Sequence, residues 1–397
     1  MDTGGKIRTG KILAQLAKSH EITLVSNVES SKDDPYLKQV SELCDHFISV
    51  PWREMRRYSP QFLVRLFFQM FSRYPVSVLN TCSRSLRSAV EAACAKGDFD
   101  VVVCDFVQAG LLVRNISRHR LVLFQHNVES VVVRRHFEQA GHLLAKLFWW
   151  GQWMKMRRYE SGQSRAFDSI VAVSATDKQT FENLYGLTQV RTISTGVDAD
   201  YFRPQPEIRK EPMTLVFCGS MDWLPNEDGM SFFLESILPL VKTQEGEVRI
   251  VVVGRNPSAL FQRRCRNHPE VQLTGWVDDT RPYIARASLF IVPLRIGGGT
   301  RMKIYEAMAM GKTVISTSIG AEGLPVQHGE NILIADRPND FADEIVRLLS
   351  DPDLADDIGR NARRYVAKNF AWTQVAGMFA GICRETAQDQ GSGRKAP

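Results

Sequence analysis

The sequence predicts an α/β protein built from two Rossmann-like, doubly wound parallel-sheet domains that face a cleft. Three observations lead there. Short runs rich in Val, Ile and Leu alternate with longer helical stretches along the whole chain. Those runs are continuously apolar rather than alternating in and out, as strands covered on both faces must be. The alternation is interrupted once, near the middle, by a segment of glycine, proline and charge that reads as a linker. A strand–helix series that occurs twice gives two such sheets.

In the first half the candidate strands are 22–27, 44–50, 100–105, 120–126, 169–174 and 190–195. The linker is 196–213, with Gly196-Val197-Asp198, then Phe202-Arg203-Pro204, Pro206 and Pro212. The second half offers strands at 214–219, 248–254, 271–276, 289–294, 313–318 and 332–336. The expected domains are therefore 1–200 and 201–372, with a helix in 373–397 that crosses back and ends in a disordered tail. Ligands of open parallel sheets bind outside the carboxyl ends of the strands, which places the site in the cleft.

Composition narrows the class. Of 397 residues, 44% are hydrophobic and 24% charged, which supports packed cores and excludes disorder. The net charge of +6 falls entirely in residues 1–200, and 51–165 alone carries 18 basic against 8 acidic side chains. No nucleic-acid recognition motif accompanies that excess, so a nucleic-acid partner is not expected. The seven cysteines are scattered singly without CxxC spacing, which argues against zinc and for buried thiols in a reducing, cytoplasmic setting. No apolar run reaches the length of a membrane span.

The most informative stretch is 289–323, LFIVPLRIGGGTRMKIYEAMAMGKTVISTSIGAEG. A buried strand ends at Leu294, and Gly297-Gly298-Gly299 turn into a helix beginning near Thr300. Free N–H groups at a helix start, with glycines that allow close approach, make an anion site. Arg301 and Lys303 add cations where the helix dipole opposes them, an arrangement suited to an anion lying between. Glu306 follows on the same helix, placed to accept hydrogen bonds from the two adjacent hydroxyls of a ribose.

These residues resemble the nucleotide-sugar-binding part of retaining GT-B glycosyltransferases of family 4, the glycosyl transferases group 1. The resemblance extends to Gly219-Ser220-Met221-Asp222-Trp223-Leu224-Pro225-Asn226, Gly254-Arg255, Thr274-Gly275-Trp276-Val277-Asp278, the Gly196-Val197-Asp198 linker, Asn369-Phe370-Ala371-Trp372 and Gly4-Gly5-Lys6-Ile7-Arg8-Thr9. It covers nearly the whole chain and is densest over 214–324. What it implies is transfer of a hexose-like sugar from a nucleotide-diphosphate sugar, with retention, to a glycan or lipid-linked acceptor in surface polysaccharide synthesis. No cofactor and no metal are implied. Gly219 and Ser220 would lie against the donor diphosphate, Arg301 and Lys303 would neutralise it, and Glu306 would hold the ribose. The Gly275-Trp276-Val277 backbone would face the base. Gly298, Gly299 and Thr300 would touch the phosphates or the sugar. Gly4 and Gly5 would form the opposing loop in the first domain, and His126 would stand near the transferred sugar. The leaving diphosphate would help to deprotonate the acceptor during same-face attack, so no glycosidase-type carboxylate pair is needed.

Two positions depart from the family pattern. An acidic residue is common eight positions before the ribose glutamate, but Gly298 stands there. Family members also open with a β-strand ahead of the glycine loop, whereas this chain starts almost at the loop. The expectation is a first-domain sheet lacking its central strand. Asp198-Ala199-Asp200 spells a metal-binding DxD but sits in the linker without companion carboxylates, so it reads as structural. Residues 53–73 and 143–158 mix aromatics with Arg and Lys at helical spacing. They suit either a core-facing helix with a basic edge or an interfacial helix on an anionic membrane. Two rival functions keep the fold: a nucleotide-sugar epimerase, and a non-catalytic sugar-nucleotide-binding partner.

Overall fold

The computed structural model describes residues 4–53, 59–296 and 301–389. The chain divides into two compact units, one formed by Met1–Ser194 with Val375–Pro397 and the other by Thr195–Gln374.

In the first unit the strands are β1 (Thr23–Val28), β2 (His46–Pro51), β3 (Val101–Asp105), β4 (Arg120–Gln125), β5 (Ser169–Ala172) and β6 (Val190–Thr192). All pair in parallel, but they form two sheets, β1-β2 and β3-β4-β5-β6. No described strand pairs with both β1 and β3. The core lies around β4 and β5, whose Val122, Leu123, Ile170 and Val171 are fully buried. Such burial on both faces is what a continuous apolar run requires.

One expectation is corrected here. Gly4 and Gly5 do not form a loop; they open the helix Gly4–Leu16. Glycine costs little in a first turn, the Lys-Ile-Leu-Ala-Gln-Leu stretch that follows is made of helix-compatible residues, and burial of Ile12 anchors the helix.

The second unit holds β7 (Thr214–Cys218), β8 (Arg249–Val253), β9 (Val271–Gly275), β10 (Leu289–Val292), β11 (Val314–Ser316) and β12 (Leu333–Ile334). They form one parallel sheet in the order β12-β11-β10-β7-β8-β9. The first strand of this unit thus lies centrally, with later strands added on both sides. The order reverses between β7 and β10, and that gap is where open α/β sheets receive ligands. Leu215, Val216, Phe217, Phe290 and Ile291 are fully buried at this junction.

The linker and the NFAW segment meet within the second unit. Val197 N–H donates to Phe370 O at 2.7 Å and Trp372 N–H to Val197 O at 3.2 Å. A Cβ on Gly196 would come within 2.4 Å of the Trp372 indole, so no side chain fits there. The helix that starts at Trp372 runs on to Gln388, and its Phe379 ring packs on Phe124 of β4 at 5.0 Å. The tail 390–397 lies outside the described residues.

Gly196→Ala is expected to destabilise the protein by about 1–3 kcal/mol through overpacking against Trp372. Gly246→Ala, where a Cβ meets nothing within 4 Å, is the matched control. Urea unfolding of both variants checks the difference.

Candidate functional site

The second unit's site begins where β7 ends. The next residue, Gly219, continues the ladder by donating its N–H to Val253 O at 2.9 Å. Three glycines stand side by side at the ends of adjacent strands: Gly219 after β7, Gly254 after β8 and Gly275 ending β9. Gly254 N–H donates to Gly275 O at 3.1 Å. A Cβ on Gly254 would lie 1.8 Å from Gly219 O, so the two loops touch backbone to backbone. Gly275 is glycine for another reason: its φ of +71° belongs to the left-handed region, and a Cβ there would meet open space.

Lys303 and Glu306 project from the helix Met302–Ala309, which follows β10; Arg301 is its N-cap. The Lys303 ammonium donates to Asn226 Oδ1 at 2.8 Å and sits 4.1 Å from the Phe217 ring centroid. It also occupies the space a Gly219 side chain would need, since a Cβ there would come within 2.5 Å of Lys303 Nζ. Asn226 is buried and donates its other amide arm to Ser220 O at 2.8 Å, so a single side chain ties the lysine to the β7 loop. Burial pulls the Lys303 pKa down to about 7; Arg301 adds repulsion, while Glu306 and Cys218 favour the charge. Burial also pushes Glu306 up to about 7, against the pull of Lys303. Both side chains keep part of their surface exposed. Buried Arg301 lies with its guanidinium carbon 5.2 Å from the Trp223 ring centroid, and burial lowers its pKa while Glu322 favours the charge. Ionisable groups desolvated side by side at a strand–helix turn are strongly responsive to an incoming charge.

Ser220 is already occupied. Its hydroxyl donates to Asp222 Oδ1 at 2.6 Å and accepts from Arg255 Nε at 2.9 Å. Asn256 Nδ2 completes the cluster on Asp222 Oδ2 at 3.0 Å, and these hydrogen bonds, that from Ser220 first, hold the Asp222 carboxyl below its usual range. Trp276 is 68% exposed, whereas Val277 packs against the core. Gly298, Gly299 and Thr300 lie outside the described residues.

In the first unit His126 is buried just past the end of β4, between the rings of Phe106 and Phe124, each 4.3 Å away. Arg8 Nη1 donates to its Nδ1 at 2.9 Å. Arginine only donates, so the ring proton is left on Nε2, which faces Asp105 Oδ1 at 2.7 Å. Thr9 Oγ1 donates to the other Asp105 oxygen at 2.9 Å. Burial lowers Arg8 to about 10, opposed by Asp177 and Asp105. Gly5 stacks on this group, because a Cβ there would meet Phe106 at 2.7 Å and His126 at 3.5 Å. Phe106 itself has φ +65°, a strained conformation for an aromatic residue. Next to them, Glu160 caps the helix Glu129–Gln139 through the N–H groups of Glu129 and Ser130, at 2.8 and 3.0 Å. Burial and then Glu160 raise Glu129 to about 7.

The structure thus joins Gly219, Lys303, Arg301 and Glu306 in one unit and Gly5 with His126 in the other. Sequence reasoning missed Asn226, Arg8, Thr9 and Asp105. Asp105 had the same signal as His126, a polar residue closing a buried strand; Asn226 had none beyond standing inside the resembling segment.

Residues 212–351 match the model of glycosyl transferases group 1, and residues 4–201 match that of glycosyltransferase family 4. The chain is a member of this glycosyltransferase family. A 44.6 kDa protein of the cps region of Klebsiella pneumoniae is 19% identical over 92% of this chain and 91% of its own. A GDP-mannose-dependent α-(1-6)-phosphatidylinositol monomannoside mannosyltransferase of Mycobacterium tuberculosis is 29% identical over 55% of this chain and 62% of its own. Among solved structures, sucrose-phosphate synthase of Thermosynechococcus elongatus superposes with a TM-score of 0.67 at 19% identity, covering 96% of this chain and 93% of that one. Anabaena HepE in complex with UDP superposes with 0.68 at 13% identity, over 97% of both chains. These neighbours establish the GT-B fold.

A diphosphate settling beside Lys303 favours its charged form and raises its pKa. At about pH 8, above the lowered value, an inorganic pyrophosphate that binds beside Lys303 is therefore expected to take up close to one proton. Calorimetry in buffers of different ionisation enthalpy measures this, and Lys303→Met abolishes it.

Proposed function

We propose that this glycosyltransferase moves a sugar from a nucleotide-diphosphate donor to a glycan or lipid-linked acceptor with retention of anomeric configuration. The observation that carries this is the desolvated Lys303, tied to Asn226 and seated over Gly219 at the β7/β10 switch point. A diphosphate accepted there meets Lys303 and Arg301, and the side-chain-free glycine row lets its oxygens come close to the strand ends. Glu306 takes the ribose hydroxyls and the Gly275–Val277 backbone takes the base; UDP in the HepE crystal structure supports a nucleotide donor.

In the reaction the bond between the anomeric carbon and the phosphate oxygen breaks, and the electron pair leaves with the diphosphate. The acceptor oxygen forms its bond on the same face and passes its proton to the departing phosphate. The two cations stabilise charge that grows as that bond breaks, which is differential binding of the transition state. They do the work a metal ion does elsewhere, so the activity is expected to survive EDTA. His126, held rigidly by Arg8 and Asp105, has its ring orientation preset for a sugar contact rather than for nucleophilic attack.

Acceptor chemistry is supported by the relative that acts on phosphatidylinositol monomannoside and by two exposed apolar helix faces. The face of helix Pro60–Met70 and its cap carries Val64, Phe67, Phe68 and Phe71, and that of helix Leu143–Ser164 carries Leu143, Leu147, Trp150 and Met154. Residues 54–58 of the first basic stretch lie outside the described residues. Among the described residues no helix is long and apolar enough to cross a membrane. We assign these faces to peripheral contact with an anionic membrane surface. The matched family models and relatives give the epimerase alternative no support.

Three measurements test the reading. Lys303→Ala and Arg301→Ala should each lower kcat by about 10²–10³ and weaken thermal stabilisation by nucleoside diphosphates, whereas Glu306→Ala should weaken recognition of the nucleoside. Equal responses from all three variants and the parent would overturn the assignments. Proton NMR of the first product should show the donor's anomeric configuration; an inverted product refutes retention. Phe67→Ser/Phe68→Ser should lose co-sedimentation with vesicles while keeping its fold by circular dichroism.

A further inference from the structure

A cavity of about 460 Å³ in the first unit is lined by Tyr74, Arg87, Leu111, Arg114 and Asn115. Both charged lining groups are guanidinium groups. Arg87 Nε is buried without a hydrogen-bond partner among the described residues, so this arginine is not committed to an internal carboxylate. Asn115 Nδ2 donates to Glu91 at 3.1 Å, which directs that acid to the amide. Tyr74 Oη accepts from Arg73 Nη2 at 2.7 Å and, more loosely, from Arg114 Nη1 at 3.4 Å. A phenol that accepts twice still has its own proton to give, and among the described residues no acceptor takes it. The cavity therefore offers donors of positive charge and one hydroxyl donor, the set that recognises a phosphate.

Its position says which phosphate. Tyr74 follows the exposed Phe71 by three residues, and its ring meets Tyr159 of helix Leu143–Ser164 edge-on at 5.9 Å. The same short segment is tied to that helix twice: Val76 N–H donates to Gln152 Oε1 at 2.9 Å, and Lys155 Nζ donates to Met70 O. Tyr74 of the cavity thus stands one turn's length of chain past the apolar stripe 64/67/68/71, in which Phe68 is 69% and Phe71 76% exposed, and packs on the buried face of helix Leu143–Ser164, whose other face carries the exposed stripe 143/147/150/154. Cationic donors beside exposed aromatics match the two halves of a phospholipid. A volume near 460 Å³ suits a headgroup and leaves the acyl chains to lie against helix Pro60–Met70.

We propose that the cavity formed by Tyr74, Arg87 and Arg114 binds the phosphate of an anionic lipid whose hydrocarbon part rests on the apolar face of helix Pro60–Met70 and its cap. This assignment does not depend on the transfer reaction; it gives the membrane contact a specific headgroup site instead of a diffuse charge attraction.

The test is co-sedimentation of the full chain with phosphatidylcholine vesicles with and without phosphatidate, alongside thermal unfolding with glycerol 3-phosphate. Wild type should bind only the phosphatidate vesicles, and Arg87→Gln/Arg114→Gln should lower that binding about tenfold or more. Tyr74→Phe, which keeps the ring packing, should lower it less and in the same direction. Arg263→Gln/Arg266→Gln, at exposed positions on helix Ala259–Arg266 of the second unit, is the charge-matched control and should change little. An equal loss in that control, or no loss in the cavity variants at unchanged melting temperature, overturns the site. Stabilisation by glycerol 3-phosphate that the cavity variants abolish, without any phosphatidate-dependent sedimentation, would make it a site for a soluble phosphate and overturn the lipid assignment.

Discussion

The second unit is organised around one constraint: an ammonium group is kept at the carboxyl end of a buried parallel sheet with little water to solvate it. Lys303 has an aromatic face on one side and a single amide oxygen on another, and it fills the volume that Gly219 leaves empty. Desolvating a lysine costs several kcal/mol unless a charge or strong acceptor compensates. The protein compensates only in part, with Glu306, and that carboxylate is itself pushed toward neutrality by burial. Such a pair is poised for a ligand that brings its own negative charge. Gly219 gives the ammonium its room and the buried Asn226 fixes its place.

The first unit shows the opposite economy. Around His126 the polar groups bond to one another: Arg8 Nη1 on one ring nitrogen, Asp105 on the other, Thr9 on the remaining carboxylate oxygen. A ring clamped between Phe106 and Phe124 and bonded at both nitrogens has one orientation and one tautomer. The strained backbone at Phe106 brings its ring under Gly5, leaving no room for a side chain there. One unit therefore keeps a charge desolvated, with a neutral amide as its hydrogen-bond partner, while the other spends its polar groups on rigidity.

Much of this was legible in the residues. Each of the twelve apolar runs became a strand; β5, β7 and β10 are buried along their whole length, whereas β2 stays largely exposed or half-buried. The family resemblance places the glycine after β7 and the cations after β10 together, and in the structure Lys303 fills the space beside Gly219. What the sequence did not disclose depended on side-chain geometry across long separations. Nothing local marks Asn226 as the partner of Lys303, 77 positions away. Nothing in Arg8 signals that it meets His126, 118 positions later. The family resemblance implies a loop at Gly4 and Gly5, yet burial of Ile12 and the good helix formers behind them prevail. The resemblance implies that Ser220 lies against a diphosphate, but its hydroxyl is shared between Asp222 and Arg255 and its carbonyl accepts from Asn226.

The path of the chain between the units bears on how the molecule is made. Thr195–Gln374 is continuous, so its sheet can close as soon as that stretch has left the ribosome. The first unit cannot finish so early. The Phe124 ring on β4 waits for Phe379, more than two hundred and fifty residues downstream by the numbering, to cover it. Until that helix is translated, the amino-terminal sheet carries an uncovered aromatic surface, the kind of patch that chaperones shield on nascent polypeptides. Synthesis order and native order thus run in opposite directions, and the half that is born first is completed last.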